Sequence, residues 1–161
     1  MQTVTVIALG KLSAAYFREA AAEYAKRLSA FCNLNLVELP EEPISEKNAS
    51  AAVIAKALEK EGRAILAAVP KGSRLVALCV EGRQLSSGEL ADYFAGAALS
   101  GTGDIAFVIG SSHGLAPAVK AAAQCKLSMS KMTFPHQLAR VMLLEQICRA
   151  FSINAGTRYH K

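Results

Sequence analysis

The order of hydrophobic and polar positions along the 161-residue chain predicts strands and helices in alternation. Continuous or alternating apolar runs rich in β-branched residues are typical of strands, and apolar positions spaced three or four apart are typical of helices. The predicted strands are Thr3–Leu9, Leu34–Leu39, Leu75–Val80, Ile105–Ile109 and Leu127–Met132. The predicted helices are Ser13–Ala30 with Ser13 as N-cap, Asn48–Ala68, a helix from the capping box at Ser86 to Leu99, Pro117–Ala123 and Pro135–Ile153.

This alternation predicts an α/β fold: a single domain over residues 1–161, with a mostly parallel sheet and helices on both faces. Ligands of such sheets bind beyond the carboxyl ends of the strands. In this chain those ends are Leu78–Gly82, Gly110–Gly114 and Met132–Pro135.

Composition narrows the class of protein. Hydrophobic residues make up 52% of the chain and charged residues 19%, which is typical of a globular protein. No apolar run approaches the roughly 20 residues of a membrane helix, and the apolar N-terminus has no basic residue ahead of it, so we expect no membrane segment and a cytoplasmic location. The four cysteines contain no C-x-x-C pair, so we expect reduced thiols and no metal site.

The positive charge is concentrated at one end of the chain. The formal net charge is +5, and from Lys126 onward there are six basic residues but only one acidic residue, Glu145. The first 125 residues are therefore neutral overall. A local basic patch favours a polyanion such as nucleic acid, although a chance excess on a solvated face gives the same count.

Two strand ends carry glycine or small polar residues. Gly110 and Gly114 bracket a turn after a buried strand, but G-x-x-x-G is not the dinucleotide fingerprint, and no Walker sequence is present. The segment Leu127–His136 leads from a strand into a proline-initiated helix, and its backbone could bind an adenine edge. By themselves, these features also fit a tight strand-to-helix connection and an ordinary helix start.

The last helix and the tail point to partners. The helix is apolar on more than one face, including four consecutive apolar residues from Val141, which requires deep burial or a partner subunit. Glu145 and Arg149 form a favourable i,i+4 pair. The tail, residues 158–161, combines two cations, a tyrosine and a histidine, a set that suits looped RNA but also occurs in frayed termini.

Taken in order, these segments closely resemble the ribosomal RNA large subunit methyltransferase H family of the SPOUT class. The resemblance runs the full length of the chain and is most specific from Thr133 to the C-terminus. The segments that carry it are Phe107–Gly110 with Gly114-Leu115, Leu127-Ser128, Thr133–Arg140, Leu144–Gln146, Arg149–Ile153 and Tyr159–Lys161.

The resemblance implies a deep C-terminal trefoil knot and an obligate homodimer. It also implies transfer of a methyl group from S-adenosylmethionine to N3 of a pseudouridine in large-subunit (23S) ribosomal RNA, with the assembled ribosome as substrate. By position, the cofactor-binding residues are Leu78, Gly110, Met129, Ser130, Lys131, Met132, Thr133 and Phe134.

Residues toward the C-terminus are assigned to RNA in the same way. The resemblance implies RNA contacts from Arg140, Arg158, Tyr159 and Lys161, with the tail acting across the dimer. His160 is the tail's one near-neutral titrating group and is the candidate catalytic residue for deprotonation of N3. Positioning alone, with proton loss to water, is the rival mechanism.

The chain departs from the family at a few positions, and two other functions stay open. Ser111 replaces a usual glycine, His113 and Cys79 replace other residue types, and Lys161 replaces arginine with its bidentate fork. One alternative is methylation of another RNA such as transfer RNA. The other is a non-catalytic RNA-binding assembly factor.

Overall fold

A five-stranded, fully parallel sheet forms the centre of the computed structural model, which describes residues 1–101 and 103–159. Within those residues the spatial order of the strands is β2-β1-β4-β3-β5, and every neighbouring pair is parallel. The strands are β1 Thr3–Leu9, β2 Asn33–Leu39, β3 Arg74–Gln84, β4 Ile105–Ile109 and β5 Cys125–Ser128. The α/β prediction is confirmed, and β1 and β4 have the predicted bounds.

Helices cover both faces of the sheet, as predicted. On one face the buried side chains of α1, α3 and α5 pack on the strands, and Phe94 lies 5.9 Å from Phe107 and 4.9 Å from Phe151, centroid to centroid. On the other face α2 and α4 contribute Ile65 and Val119. The helices are α1 Ala15–Leu28, α2 Ala51–Ala68, α3 Ser87–Leu99, α4 Pro117–Ala122 and α5 His136–Asn154, with a 3-10 turn at Glu46–Asn48.

Burial within the domain accounts for much of the unusually apolar last helix. Leu143, Leu144 and Ile147 of α5 are completely buried, and α5 contacts both α1 and α3. Burying a large aliphatic side chain stabilises the fold by about 1.5–3 kcal/mol, so α5 is an internal element of this domain. The homodimer stays a prediction.

Helix α1 begins differently from the prediction. Its N-cap is Ala14, without a side-chain cap. The predicted cap, Ser13, instead donates from both its backbone N–H and its hydroxyl to Oε1 of Gln137, at 2.8 and 3.1 Å. A tertiary contact with the start of α5 therefore replaces the local cap.

Strand β5 is shorter than predicted. It ends at Ser128, and the chain bends where the strand was expected to continue to Met132. The Ser128 hydroxyl donates to the carbonyl of Ser130 at 3.0 Å, and the Ser130 hydroxyl accepts from the N–H of Met132 at 3.0 Å. These local side-chain bonds compete with a strand ladder and explain the error.

Strand β3 extends past its predicted end at Val80 and carries a large irregularity. Leu78 and Arg83 are both in register with Leu127 of β5, so residues 79–82 leave the ladder. Gly82 then passes very close to β5: a Cβ at this position would lie 2.7 Å from the backbone carbonyl of Lys126. The close approach of the two strands therefore requires glycine.

We predict that Gly82→Ala destabilises the protein by about 1–3 kcal/mol, because its Cβ would push β5 away from β3. Chemical denaturation measures this as a lower midpoint. The matched control is Gly96→Ala in α3, where a Cβ would meet nothing within 4 Å. Removing a helical glycine there should stabilise the fold by about 0.5–1 kcal/mol. Equal midpoints for the two variants would contradict this account of Gly82.

Candidate active site

A cleft of about 750 Å³ opens at the carboxyl ends of β3, β4 and β5. Its walls are the irregular part of β3 from Leu78 to Glu81, the turn from Ile109 to Leu115, and the loop from Met129 to His136. These are the three strand ends expected to hold a ligand. They converge because β3 lies between β4 and β5 in the sheet.

Most of the predicted cofactor residues lie at this cleft. Seven of the eight line it: Leu78, Gly110, Met129, Ser130, Met132, Thr133 and Phe134. Lys131 belongs to the same loop but is exposed outside the lining. The structure thus places the assigned segments around one space, and the cofactor-binding role of each residue stays a prediction.

Both glycines of the turn after β4 are required by its geometry. The N–H of Gly114 donates to the carbonyl of Ser111 at 2.9 Å, and Gly114 has a φ of +88°. A Cβ on Gly110 would lie 2.4 Å from the carbonyl oxygen of Gly114. The segment from Gly110 to Gly114 is therefore a tight strand-to-helix connection, and it also forms one wall of the cleft.

The departure at Ser111 has a structural explanation. Its hydroxyl donates to Oε1 of Glu61 at 3.1 Å, and Glu61 is only 5% exposed. The other oxygen of Glu61 accepts from the backbone N–H of Glu42 at 2.8 Å. The buried carboxylate of Glu61, on α2, thus holds the turn through Ser111. His113 of the same turn is exposed at the cleft.

Large apolar side chains at the cleft are exposed. Met132 is 73% exposed and Val80 is 50% exposed, although both line the cavity. Exposed large apolar groups beside a concave space are typical of ligand-binding surfaces.

One charged pair lies at the cleft and was missed by sequence reasoning. Nζ of Lys120, on α4, is 2.5 Å from Oε1 of Glu81, on the irregular part of β3. The hydrogen bond from Lys120 holds the pKa of Glu81 below its usual value. Glu81 falls within the strand end named from the sequence, but its partner 39 residues away could not be inferred without the order of the strands.

Arg140 does not lie on the surface, where an RNA contact would need it. It is 5% exposed, donates to Oε2 of Glu38 at 2.6 Å and donates to the carbonyl of Gly10 at 2.9 Å. This pair, in which Arg140 is buried and the Glu38 side chain is 43% exposed, ties α5 to the ends of β1 and β2. The geometry gives Arg140 a structural role instead of the expected phosphate contact.

The tail folds back on α5. The Tyr159 hydroxyl donates to Oε1 of Glu145 at 3.3 Å, and the Tyr159 ring lies 5.0 and 5.9 Å from the guanidinium carbons of Arg149 and Arg27. Partial burial, with Glu145 nearby, raises the pKa of Tyr159. The predicted Glu145–Arg149 pair is confirmed, with Nε of Arg149 3.0 Å from Oε1.

The other tail residues are less defined. Arg158 is exposed, and His160 and Lys161 lie outside the described residues. Tyr159 is not part of the cleft lining. Its partner Glu145 lies six residues beyond Ala139 of the cleft wall, which is about 9 Å along the helix and about 120° around it.

The described ranges, 1–101 and 103–159, contain no group of three His, Cys, Asp or Glu side chains suited to a metal ion. In the same ranges, no helix is both long and apolar enough to cross a membrane. All four cysteines are free thiols, and burial raises the pKa of Cys32 to about 11.

The solved structures similar to this chain include a methyltransferase with bound cofactor. The SpoU methyltransferase AviRb from Streptomyces viridochromogenes, in complex with the cofactor AdoMet, aligns over 96% of this chain and 58% of its own length. The TM-score is 0.46 and the sequence identity 14%.

Comparison of sequences is more direct. The family described as "Predicted SPOUT methyltransferase" matches residues 1–160. Proteins named ribosomal RNA large subunit methyltransferase H match over 98% of this chain and 99% of their own length, with 49% identity in Clostridium novyi and 46% in both Bifidobacterium adolescentis and Ligilactobacillus salivarius. The family match confirms the expected methyltransferase class and S-adenosylmethionine as its cofactor. The chain belongs to the SPOUT methyltransferases, and within them to the ribosomal RNA large subunit methyltransferase H family.

Proposed function

We propose that this protein transfers a methyl group from S-adenosylmethionine to N3 of a pseudouridine in large-subunit ribosomal RNA, in the cytoplasm and on the assembled ribosome. The observation that carries the proposal is the cleft at the three strand ends, lined by seven residues assigned to the cofactor. The names of relatives that match the chain along nearly its whole length support ribosomal RNA as the substrate.

The cleft fits the cofactor in size and chemistry. Its volume of about 750 Å³ lies within the range of about 300–1,000 Å³ found for small-molecule sites. Leu78, Leu115, Leu127 and Phe134 offer apolar surface for the adenine ring, and the loop after β5 offers backbone groups for its edge. The cofactor supplies a methyl carbon that its sulfonium already activates, so the protein's main task is alignment of the two reactants.

The target base must lose its N3 proton. In this proposal His160 assists that loss, because imidazole titrates close to neutral pH. Tyr159 and Lys161 hold the nucleotide by stacking and by phosphate pairing.

Two subunits would be needed for a complete site. The contacts of Tyr159 lie on a side of α5 turned away from the cleft of the same protomer. The arrangement implied by the family, with the tail of one protomer at the cleft of the other, resolves this separation. The proposal therefore includes the homodimer, and it retains the trefoil knot as the predicted path of the chain through this region.

We predict that the purified protein and S-adenosylmethionine label intact ribosomes far more than naked ribosomal RNA or transfer RNA. The assay is incorporation of radioactive methyl groups. Ribosomes that lack the pseudouridine, from a strain without the corresponding synthase, are the control and should stay unlabelled. Preferred labelling of transfer RNA would favour the alternative substrate. Absence of calorimetric binding at millimolar cofactor would favour the non-catalytic assembly factor.

We predict that His160→Ala keeps cofactor affinity but lowers methylation by about 10²-fold, the usual order of a lost general base. A base must be neutral, so wild-type activity should fall as the pH drops below the histidine pKa of roughly 6.5, and the variant should lose that limb. Calorimetry and rates from pH 5.5 to 8.5 test this. A wild-type rate on ribosomes would leave positioning, with proton loss to water, as the mechanism.

The shared site predicts complementation between two inactive variants. Gly110→Ala disturbs the cleft wall through the close contact with Gly114, and deletion of residues 158–161 removes the tail. A mixed dimer keeps one intact cleft and one intact tail facing it. Random mixing should restore about one quarter of the wild-type rate, because half the dimers are mixed and each has one working site. No recovery from folded, mixed subunits would contradict a site shared across the dimer.

A further inference from the structure

The ion pair between Glu81 and Lys120 lies at the cleft, and a contribution to the stability of the fold does not explain why it is there. Both side chains line the cleft, and both keep access to solvent, with 57% of the Glu81 side chain and 30% of the Lys120 side chain exposed. Exposed ion pairs contribute little to the stability of a fold. Its location at the cleft therefore indicates a role in ligand binding.

The backbone brings Glu81 to the cleft by a specific device. Residues 79–82 leave the β3–β5 ladder between the two registers on Leu127, which frees Glu81 from the sheet. Gly82 then returns the chain to β5 at a distance that no side chain would allow. Lys120 reaches the same point from α4, the short helix that lies between the glycine turn and β5.

The pair still has binding capacity on both members. Oε1 of Glu81 accepts from Lys120, but a carboxylate has about four acceptor sites, and an ammonium group has three N–H donors. Apart from this pair, the described residues of the cleft lining contain no Asp, Glu, Lys or Arg, so it is the one place where a charged part of a ligand meets full charges.

We propose that the Glu81–Lys120 pair binds the zwitterionic amino-acid end of the methyl donor, with Glu81 accepting from its α-ammonium and Lys120 donating to its α-carboxylate. This inference rests on the proposed function and assigns residues outside the predicted cofactor set. The ligand's two charges are carried on one carbon, as close together as those of the protein pair. Four charges of alternating sign then neutralise one another without breaking the ion pair.

The rival explanation is that the pair only links α4 to β3. Such a role predicts that every ligand of the cleft is affected equally when the link is lost, and that any ion pair in its place restores binding. Recognition predicts dependence on the amino-acid end of the ligand and on the order of the two charges.

The experiment is calorimetric titration of the full chain with three ligands: S-adenosylmethionine, S-adenosylhomocysteine and methylthioadenosine, which lacks the amino-acid end. We expect Glu81→Gln and Lys120→Met each to weaken the first two ligands by about 10- to 100-fold, as for a lost charge-assisted hydrogen bond, and to leave methylthioadenosine within about twofold. The swapped double variant, Glu81→Lys with Lys120→Glu, should have a thermal stability close to that of the wild type but should lose the affinity for the first two ligands.

The matched control is the Glu42–Lys60 pair, which is 3.3 Å long and lies outside the cleft lining. Glu42→Gln and Lys60→Met should change the affinity for none of the three ligands. Equal weakening of all three ligands by the Glu81 and Lys120 variants, unchanged affinity for the first two, or recovery in the swapped variant would each overturn the inference. Those results would leave the methyltransferase proposal intact, whereas a wild-type protein that binds none of the ligands would overturn both.

Discussion

The close approach of β5 to β3 at Gly82 is the constraint on which the candidate site depends. It places the loop after β5 beside the end of β3, while β4, on the other side of β3, delivers the Gly110–Gly114 turn. Three loops that are distant in sequence therefore meet because of strand order and one missing side chain. A wider spacing between β3 and β5 would open the cleft and release its outer wall.

Helix α5 links this cleft to the rest of the molecule. Its first residue, His136, lines the cleft, its middle is buried between α1 and α3, and the chain beyond it folds back so that Tyr159 contacts Glu145. The Arg140–Glu38 pair fixes the helix against the ends of β1 and β2. Because the buried charge of Arg140 is costly without a partner, α5 must lie where Arg140 can reach Glu38.

The sequence could predict those elements whose side chains repeat with a clear period. β1 and β4 have the predicted bounds because they are buried on both faces, and the Ser86–Glu89 capping box is present as predicted. The predicted end of β5, Met132, lies four residues beyond the observed end at Ser128. Serines that alternate with apolar residues have the pattern of a strand, but here the serine hydroxyls form hydrogen bonds with the backbone.

Other features depend on contacts between distant segments. The irregularity of β3 comes from pairing with β5 and leaves no pattern in residues 79–82. The burial of Arg140 depends on Glu38, and the Glu81–Lys120 pair depends on the order of the strands. For the cleft as a whole, the family resemblance located seven lining residues that no single pattern in the sequence would have selected.

The fold leaves only some of the cations of the basic C-terminal segment, which favoured RNA as a partner, exposed to solvent. Arg140 is buried and paired with the partly exposed carboxylate of Glu38, and Arg149 is paired with Glu145. Among the described residues from Lys126 onward, the exposed cations are Lys126, Lys131 and Arg158. Lys126 lies on β5 just before the loop that forms the cleft wall, Lys131 lies within that loop, and Arg158 belongs to the tail. The basic excess is thus confined to the two parts that the proposed mechanism brings together on the substrate, and attraction of the phosphate backbone would guide the target nucleotide toward the cleft.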